Sequence, residues 1–313
     1  MARQRVDDVW LLTEAGIRTL GGEAVSDVPI DSAPVVAGVA DGGHVGVIVD
    51  EHAVWTRSPA GKWRKDLRTG AELYSIARTS DGRFLVGTES ARLAWIDGGE
   101  LRFLESFDAV PERPMWDTPY GAPPELRSIA VATDGTIYAN VHVGWIVRSR
   151  DGGRTWKSIR KGLDRDVHMV AAHPTEPATV FAATAVGFHI SHDHGDSFVR
   201  RREGMPYFYQ RACACFQDQD VYLVSTAKHN RGEGAQLFRS DDEGMHWGRV
   251  AGLPDGVNRN INTHQVVALP GGRGLVVVQD SILFESGDWG ATWGETARDL
   301  PSVHAILPVN RGG

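Results

Sequence analysis

The chain has 313 residues, of which 42% are hydrophobic and 23% charged, enough for one large globular core. A net charge of −7 with no run of Lys or Arg argues against a nucleic-acid surface. No apolar stretch is long enough for a membrane helix, so a membrane role is not expected either. The N-terminal sequence MARQRVDDVWLLTEAG has no secretory apolar core, which makes the cytoplasm the expected compartment.

Taken in order, residues 8–20 (DVWLLTEAGIRTL) read as a second and third strand with no first strand before them. Residues 35–67 (VVAGVADGG, HVGVIVDEHA, VWTRSPAG, KWRKDL) then form a unit of four short strands, each ending in a turn signal. Residues 73–107 repeat it, with a tight turn at Asp97 and Gly98. Residues 108–125 (DAVPERPMWDTPYGAPPE) break the pattern with five prolines. The unit returns at residues 126–159 (LRSIAVATDG, TIYANVHVG, WIVRSRDGG, TWKSI) and again from about Asp166, Tyr207 and Asn262. Residues 303–309 (VHAILPV) open another unit that the chain does not complete.

One turn recurs between third and fourth strands. It reads SRDGGRTW from Ser149, SHDHGDSF from Ser191, SDDEGMHW from Ser240 and SGDWGATW from Ser286, at spacings of 42, 49 and 46 residues. Such a period signals stacked copies of one supersecondary unit. The chemistry fits a strand-turn-strand clamp: Ser149, Asp151, Ser191, Asp193, Ser240, Asp242, Ser286 and Asp288 bond nearby backbone. Gly153, Gly195, Gly244 and Gly290 take angles closed to other residues, and Trp156, Trp247 and Trp293 return to the core.

These turns resemble the BNR or Asp-box propellers, which include sialidases, sortilin-type receptors and photosystem assembly factors. The resemblance implies that the boxes are structural and lie on the face opposite the working site. The expected fold is all-β, a seven-bladed β-propeller filling residues 1–313 as one domain. The incomplete terminal segments pair to close the seventh blade, which leaves no open sheet edge.

In that fold the tight connections (ADGGH, TSDGR, ATDGT, QDQD, LPGGR) share the face of the repeated turns, called the bottom here. Residues 108–125, 226–236 and 251–262 supply the long top connections, and function concentrates on long loops over a rigid scaffold. Trp116 and Tyr120 in the first of them read either as a substrate lid or as a plug packed on the blades.

Aligning the starts of the inner strands places Val36, Ser75, Ser128, His168, Arg211, His264 and His304 at equivalent points of the channel mouth. Imidazole is a common ligand of zinc, iron or copper, and carboxylate and imidazole also suit manganese. The expectation is therefore a divalent transition metal on His168, His264 and His304, with Arg211 orienting a small anionic or sugar-like substrate. Glu14, Asp50, Glu51, His52, Glu89, His142, His229 and Asp280, near the ends of second strands, are candidates for further ligands or supporting contacts.

Two other readings compete. The resemblance implies a carbohydrate-active enzyme, although the Arg-Ile-Pro motif of sialidases is missing. Seven-bladed polysaccharide lyases use His, Tyr and Arg on this face, which maps to His264, Tyr209 and Arg211 for a metal-free elimination. The assembly-factor resemblance implies instead a non-catalytic platform for a protein partner. Cys213 and Cys215, alternating in RACACF, read as two reduced buried thiols.

Overall fold

A computed structural model of the chain describes residues 6, 8–30, 32–118 and 120–310. Seven antiparallel sheets follow one another around a ring. Their inner strands are Val35–Asp41, Leu73–Arg78, Glu125–Val131, Val167–Ala172, Cys213–Cys215, Val266–Ala268 and Val303–Val309; consecutive ones pack together, except that Val303–Val309 meets the sixth sheet through its second strand Gly274–Val278. We number the blades 1 to 7 in that order. Blades 1 to 6 have four strands each, consecutive in sequence. Blade 7 joins the two ends: Asp8–Thr13 pairs with Val303–Val309 from Asp8↔Val309 to Thr13↔Val303, and Gly16–Arg18 lies outside it. The first and last strands thus protect each other's edges.

The apolar alternation of the strands produces not one core but seven clusters, one between each pair of neighbouring blades. Side chains from facing sheets interdigitate there, so burial ties every blade to two others.

The four repeated turns share one hydrogen-bond pattern. Ser149 Oγ donates to Asp151 Oδ1 and accepts from the Gly153 amide, both at 2.9 Å, while Asp151 accepts from the Thr155 amide and hydroxyl at 2.9 and 2.6 Å. Ser191 with Asp193 and Ser197, Ser240 with Asp242 and His246, and Ser286 with Asp288 and Thr292 repeat it. Gly195 has φ +84° and lies against Ile159 and Tyr138 of the preceding blade, so a Cβ there would meet both strain and contact. Each box therefore fills the gap to the blade before it. In blades 1 and 2 the turn is shorter, and in blade 2 it is Gly98-Gly99 alone.

The inner strands enter their sheets through a bulge. In five blades the pairing skips one residue, namely Val36, Tyr74, Arg127, His168 and His304. Arg211 and His264 stand at the corresponding entry points of blades 5 and 6, ahead of the paired strands. Ser75 and Ser128 therefore sit one residue past the positions that the sequence alignment assigned to them. Their hydroxyls are buried within the sheets, with Ser75 Oγ donating to the Leu126 carbonyl at 2.7 Å and Ser128 Oγ accepting from the Val170 amide at 3.0 Å. A slip of one residue exchanges the two faces of a strand, and here it brings Tyr74 and Arg127 to the mouth instead.

Candidate functional site

Three of the bulged residues, Tyr74, Arg127 and His168, and the entry residue Arg211 pair with the residue two positions earlier, and these pairs run through four consecutive blades. Tyr74 Oη donates to Glu72 Oε2 at 2.6 Å, and Arg127 Nε donates to Glu125 Oε2 at 2.8 Å. Arg211 Nη2 donates to Tyr209 Oη at 3.2 Å. Between them, in blade 4, His168 Nε2 stands 3.2 Å from Asp166 Oδ1. The first three pairs join a donor to an acceptor. The fourth is different in kind.

His168 is 1% exposed and its Nδ1 lies in hydrogen-bond contact with the Gln210 carbonyl. A carbonyl only accepts, so Nδ1 carries a hydrogen and Nε2 is the ring nitrogen turned to Asp166. Nε2 faces a carboxylate oxygen, and neither atom makes a hydrogen bond. His142, also buried, at the end of the strand Ile137–His142, brings its Nε2 to 3.3 Å from the same oxygen. Burial lowers the His142 pKa against the pull of Asp166, which keeps that ring neutral. Burial alone would raise the Asp166 carboxyl, but the two imidazoles outweigh it and hold the group well below the usual carboxylate range. A charged oxygen thus meets two imidazole nitrogens, a contact satisfied only by a proton on Nε2 or by a cation among the three atoms.

The spacing suits a cation. His142 Nε2 and His168 Nε2 both stand against Asp166 Oδ1, and one ligand atom from each of the three side chains lies within 4.8 Å of the others. Ligand atoms about 2.1 Å from a tetrahedral zinc stand roughly 3.4 Å apart. Asp166 keeps 25% of its side chain exposed, which leaves the group open on one side. Among the described residues no other set of three His, Cys, Asp or Glu side chains comes as close.

His264 and His304 line the same mouth in blades 6 and 7 but do not join this group. His264 is half-buried, has φ +67° and is pushed down to about 4 by desolvation. His304 is also lowered by burial, opposed by Asp280, Glu14 and Glu51, and its Nε2 is buried without a partner. Tyr209 does reach His168, its ring 4.6 Å from the imidazole between centroids, while Arg211, bonded to Tyr209, donates from Nη1 to Asn262 Oδ1 at 3.4 Å. His192 and His194 turn to separate partners, Glu243 and Asp134.

The long loops interlock above this arc. Trp116 is 7% exposed and packs on Phe107 with ring centroids 5.6 Å apart, so it belongs to the core between blades 2 and 3 and acts as a plug. Tyr120 is 69% exposed and accepts a hydrogen bond from Asn230 Nδ2 at 2.7 Å. Asn260 Nδ2 in turn donates to the Asn230 carbonyl at 2.7 Å. A strap from the loop before blade 3 to the outer loops of blade 5 therefore passes beside the blade 4 site.

Asp166 is the residue that sequence reasoning missed, although a signal was present. The stretches ELYSIA from Glu72, ELRSIA from Glu125 and DVHMVA from Asp166 share an acid two residues before the channel position.

No family model matches the chain. It is 33% identical over 78 residues to vacuolar protein sorting/targeting protein 10 of Verticillium alfalfae, covering 25% of this chain and 5% of that protein. It is 23% identical over 192 residues to the xyloglucanase of Hypocrea jecorina, covering 56% of this chain and 22% of that enzyme. The chain thus spans only a small part of the length of these curated relatives. Among solved structures, an ancestral GH74 enzyme superposes with TM-score 0.62 at 16% identity, over 92% of this chain and 40% of that one. YCF48 bound to D1 peptide gives 0.55 at 16%, over 87% and 86%. The WD40 β-propeller domain of Doa1 gives 0.62 at 13%, over 87% and 85%. At these identities the likeness is one of fold.

Proposed function

We propose that the protein is a metal-binding propeller of the Asp-box kind, holding a divalent transition metal on His142, Asp166 and His168. One observation carries the reading, two buried imidazole nitrogens, Nε2 of His142 and of His168, held 3.3 and 3.2 Å from the same Asp166 oxygen, with no hydrogen bond made by that oxygen or by His168 Nε2. Compared with the sequence expectation, the ligand set keeps His168 and exchanges His264 and His304 for His142 and Asp166. A bound divalent ion supplies Lewis acidity at its open positions. Arg211, fixed by Tyr209 and Asn262, offers a guanidinium to the carboxylate or phosphate of a small anionic or sugar-like ligand. The Gln210 carbonyl orients His168, while the buried Nδ1 of His142 has no such anchor.

The metal-free elimination reading fits less well. Burial raises the Tyr209 phenol even with Arg211 beside it, so it is not poised as a base near neutral pH. Elemental analysis of the purified chain after equilibration with zinc, cobalt and manganese tests the proposal. One equivalent is expected in the wild type, and less than about a tenth of that affinity in His142→Ala, Asp166→Asn and His168→Ala. Metal retained by all three variants would refute the assignment.

A further inference from the structure

Blade 6 opens its paired inner strand only at Val266, past the mouth residue His264. His264 has φ +67°, a left-handed angle unfavourable for a residue with a Cβ. Its neighbour Gln265 is 2% exposed and holds the kink in place. Gln265 Oε1 accepts from the Asn262 amide at 2.8 Å, and its Nε2 donates to Asp280 Oδ1 and to the Val303 carbonyl at 2.9 and 2.6 Å. A strained angle fixed by buried hydrogen bonds marks a segment whose course matters.

That course carries Asn262 and Thr263 onto the two blades before them. Thr263 Oγ1 donates to the Arg211 carbonyl at 3.0 Å and, in a longer second branch, to the His168 carbonyl at 3.4 Å. One hydroxyl of blade 6 thus touches blade 5 and blade 4 together. Neither partner residue is paired in its own ladder: His168 is skipped by the bulge, and Arg211 precedes the strand Cys213–Cys215. Asn262 takes the other end of Arg211, its Oδ1 accepting from Nη1 at 3.4 Å. The stretch held in this way is the one that meets the His168 ring, since the Gln210 carbonyl contacts Nδ1 and the Tyr209 ring lies beside the imidazole. Among the described residues Arg211 forms no ion pair, whereas Arg127 in blade 3 is matched by Glu125. Its contacts are with the neutral Tyr209 and Asn262, so its charge remains for a ligand.

We infer that Asn262 and Thr263 are positioning residues that lock the Arg211 guanidinium and the His168 backbone into one unit, so that an oxyanion on Arg211 is held in register with the metal. The inference rests on the metal reading above and adds the segment that sets the spacing of its two cations. Thr263 acts through the residues it fixes, as outer partners of metal ligands do.

Titration of the full chain with cobalt(II), followed by its visible spectrum, and then of the cobalt-loaded protein with inorganic phosphate tests the inference. The wild type is expected to take up one equivalent of cobalt and to bind phosphate with a spectral change. Thr263→Val should weaken phosphate binding by about two- to tenfold, the worth of one hydrogen bond, and Thr263→Ser should restore it. A role in the fold alone would lower the melting temperature of Thr263→Val and leave its cobalt spectrum and phosphate affinity as they were. Should Thr263→Val melt too early to titrate, Asn262→Asp takes its place, since a carboxylate there pairs with Arg211 and should weaken phosphate by about tenfold. Phosphate binding unchanged by these substitutions, or absent from the cobalt-loaded wild type, would overturn the inference and leave the metal reading standing. A wild type that takes up no cobalt would overturn both.

Discussion

Replacing Asp166 by asparagine separates a cation from a proton at the candidate site. Without a metal, a His168 ring that carries its hydrogen on Nδ1 alone sets its Nε2 lone pair against the Asp166 carboxylate 3.2 Å away. An amide at position 166 removes a partly buried charge and can donate Nδ2–H to that lone pair. A neutral hydrogen bond gained in this way contributes about 0.5–1.5 kcal/mol. At this chain length a kcal/mol moves the melting temperature by about 2 °C, so Asp166→Asn should melt about 1–3 °C above the wild type in EDTA. Zinc at a hundred times its dissociation constant should reverse the order, adding about 2.7 kcal/mol, or roughly 5 °C, to the wild type alone. Thermal unfolding followed by near-UV circular dichroism, with EDTA and with zinc, reads both arms. If the variant melts below the wild type in EDTA, His168 is an imidazolium paired with Asp166 and a proton fills the gap. The case for a metal would then fail.

Three further outcomes test the scaffold. Gly204 has φ +88° and a Cβ there would lie 2.3 Å from the Trp247 carbonyl, so Gly204→Ala should cost about 2–3 kcal/mol in urea unfolding, while Gly248→Ala, with open space, should change little. Thr155 holds the Asp151 carboxyl down to about 2 through its hydroxyl and amide. Because the folded value lies below the unfolded one, this stability is present above about pH 4 and is lost as pH falls toward 2. Asp151→Asn should therefore flatten the acid limb of the stability curve. Burial pushes the Cys213 and Cys215 thiols up to about 12, so neither should react with a thiol reagent at neutral pH until the chain unfolds.

The scaffold was legible because its signals are local. The box SRDGGRTW and its three copies fix the turn between third and fourth strands, and strand count follows from turns on either side. Closure by both termini followed from VHAILPV lacking partners and DVWLLT lacking a first strand. The mouth was only half legible, because a bulge adds one residue without any change in strand composition. His168 and His304 were placed correctly, while Ser75 and Ser128 took positions held by Tyr74 and Arg127.

Distance across the ring was not legible at all. Residues equivalent by repeat are spread over different blades, so His264 and His304 share a level with His168 without meeting it. The group that does meet comes from a strand end and a strand start in neighbouring blades, His142 with Asp166 and His168. Trp116 showed the same limit, since an aromatic in a proline-rich loop reads alike whether it faces solvent or the gap between two blades.

The most direct test is an anomalous difference map from crystals of the wild-type protein equilibrated with zinc, recorded on both sides of the zinc edge. The expected result is a single strong peak about 2.1 Å from His142 Nε2, Asp166 Oδ1 and His168 Nε2. A map with no peak at these atoms, or with the ion on His264 and His304 instead, would contradict the proposed centre.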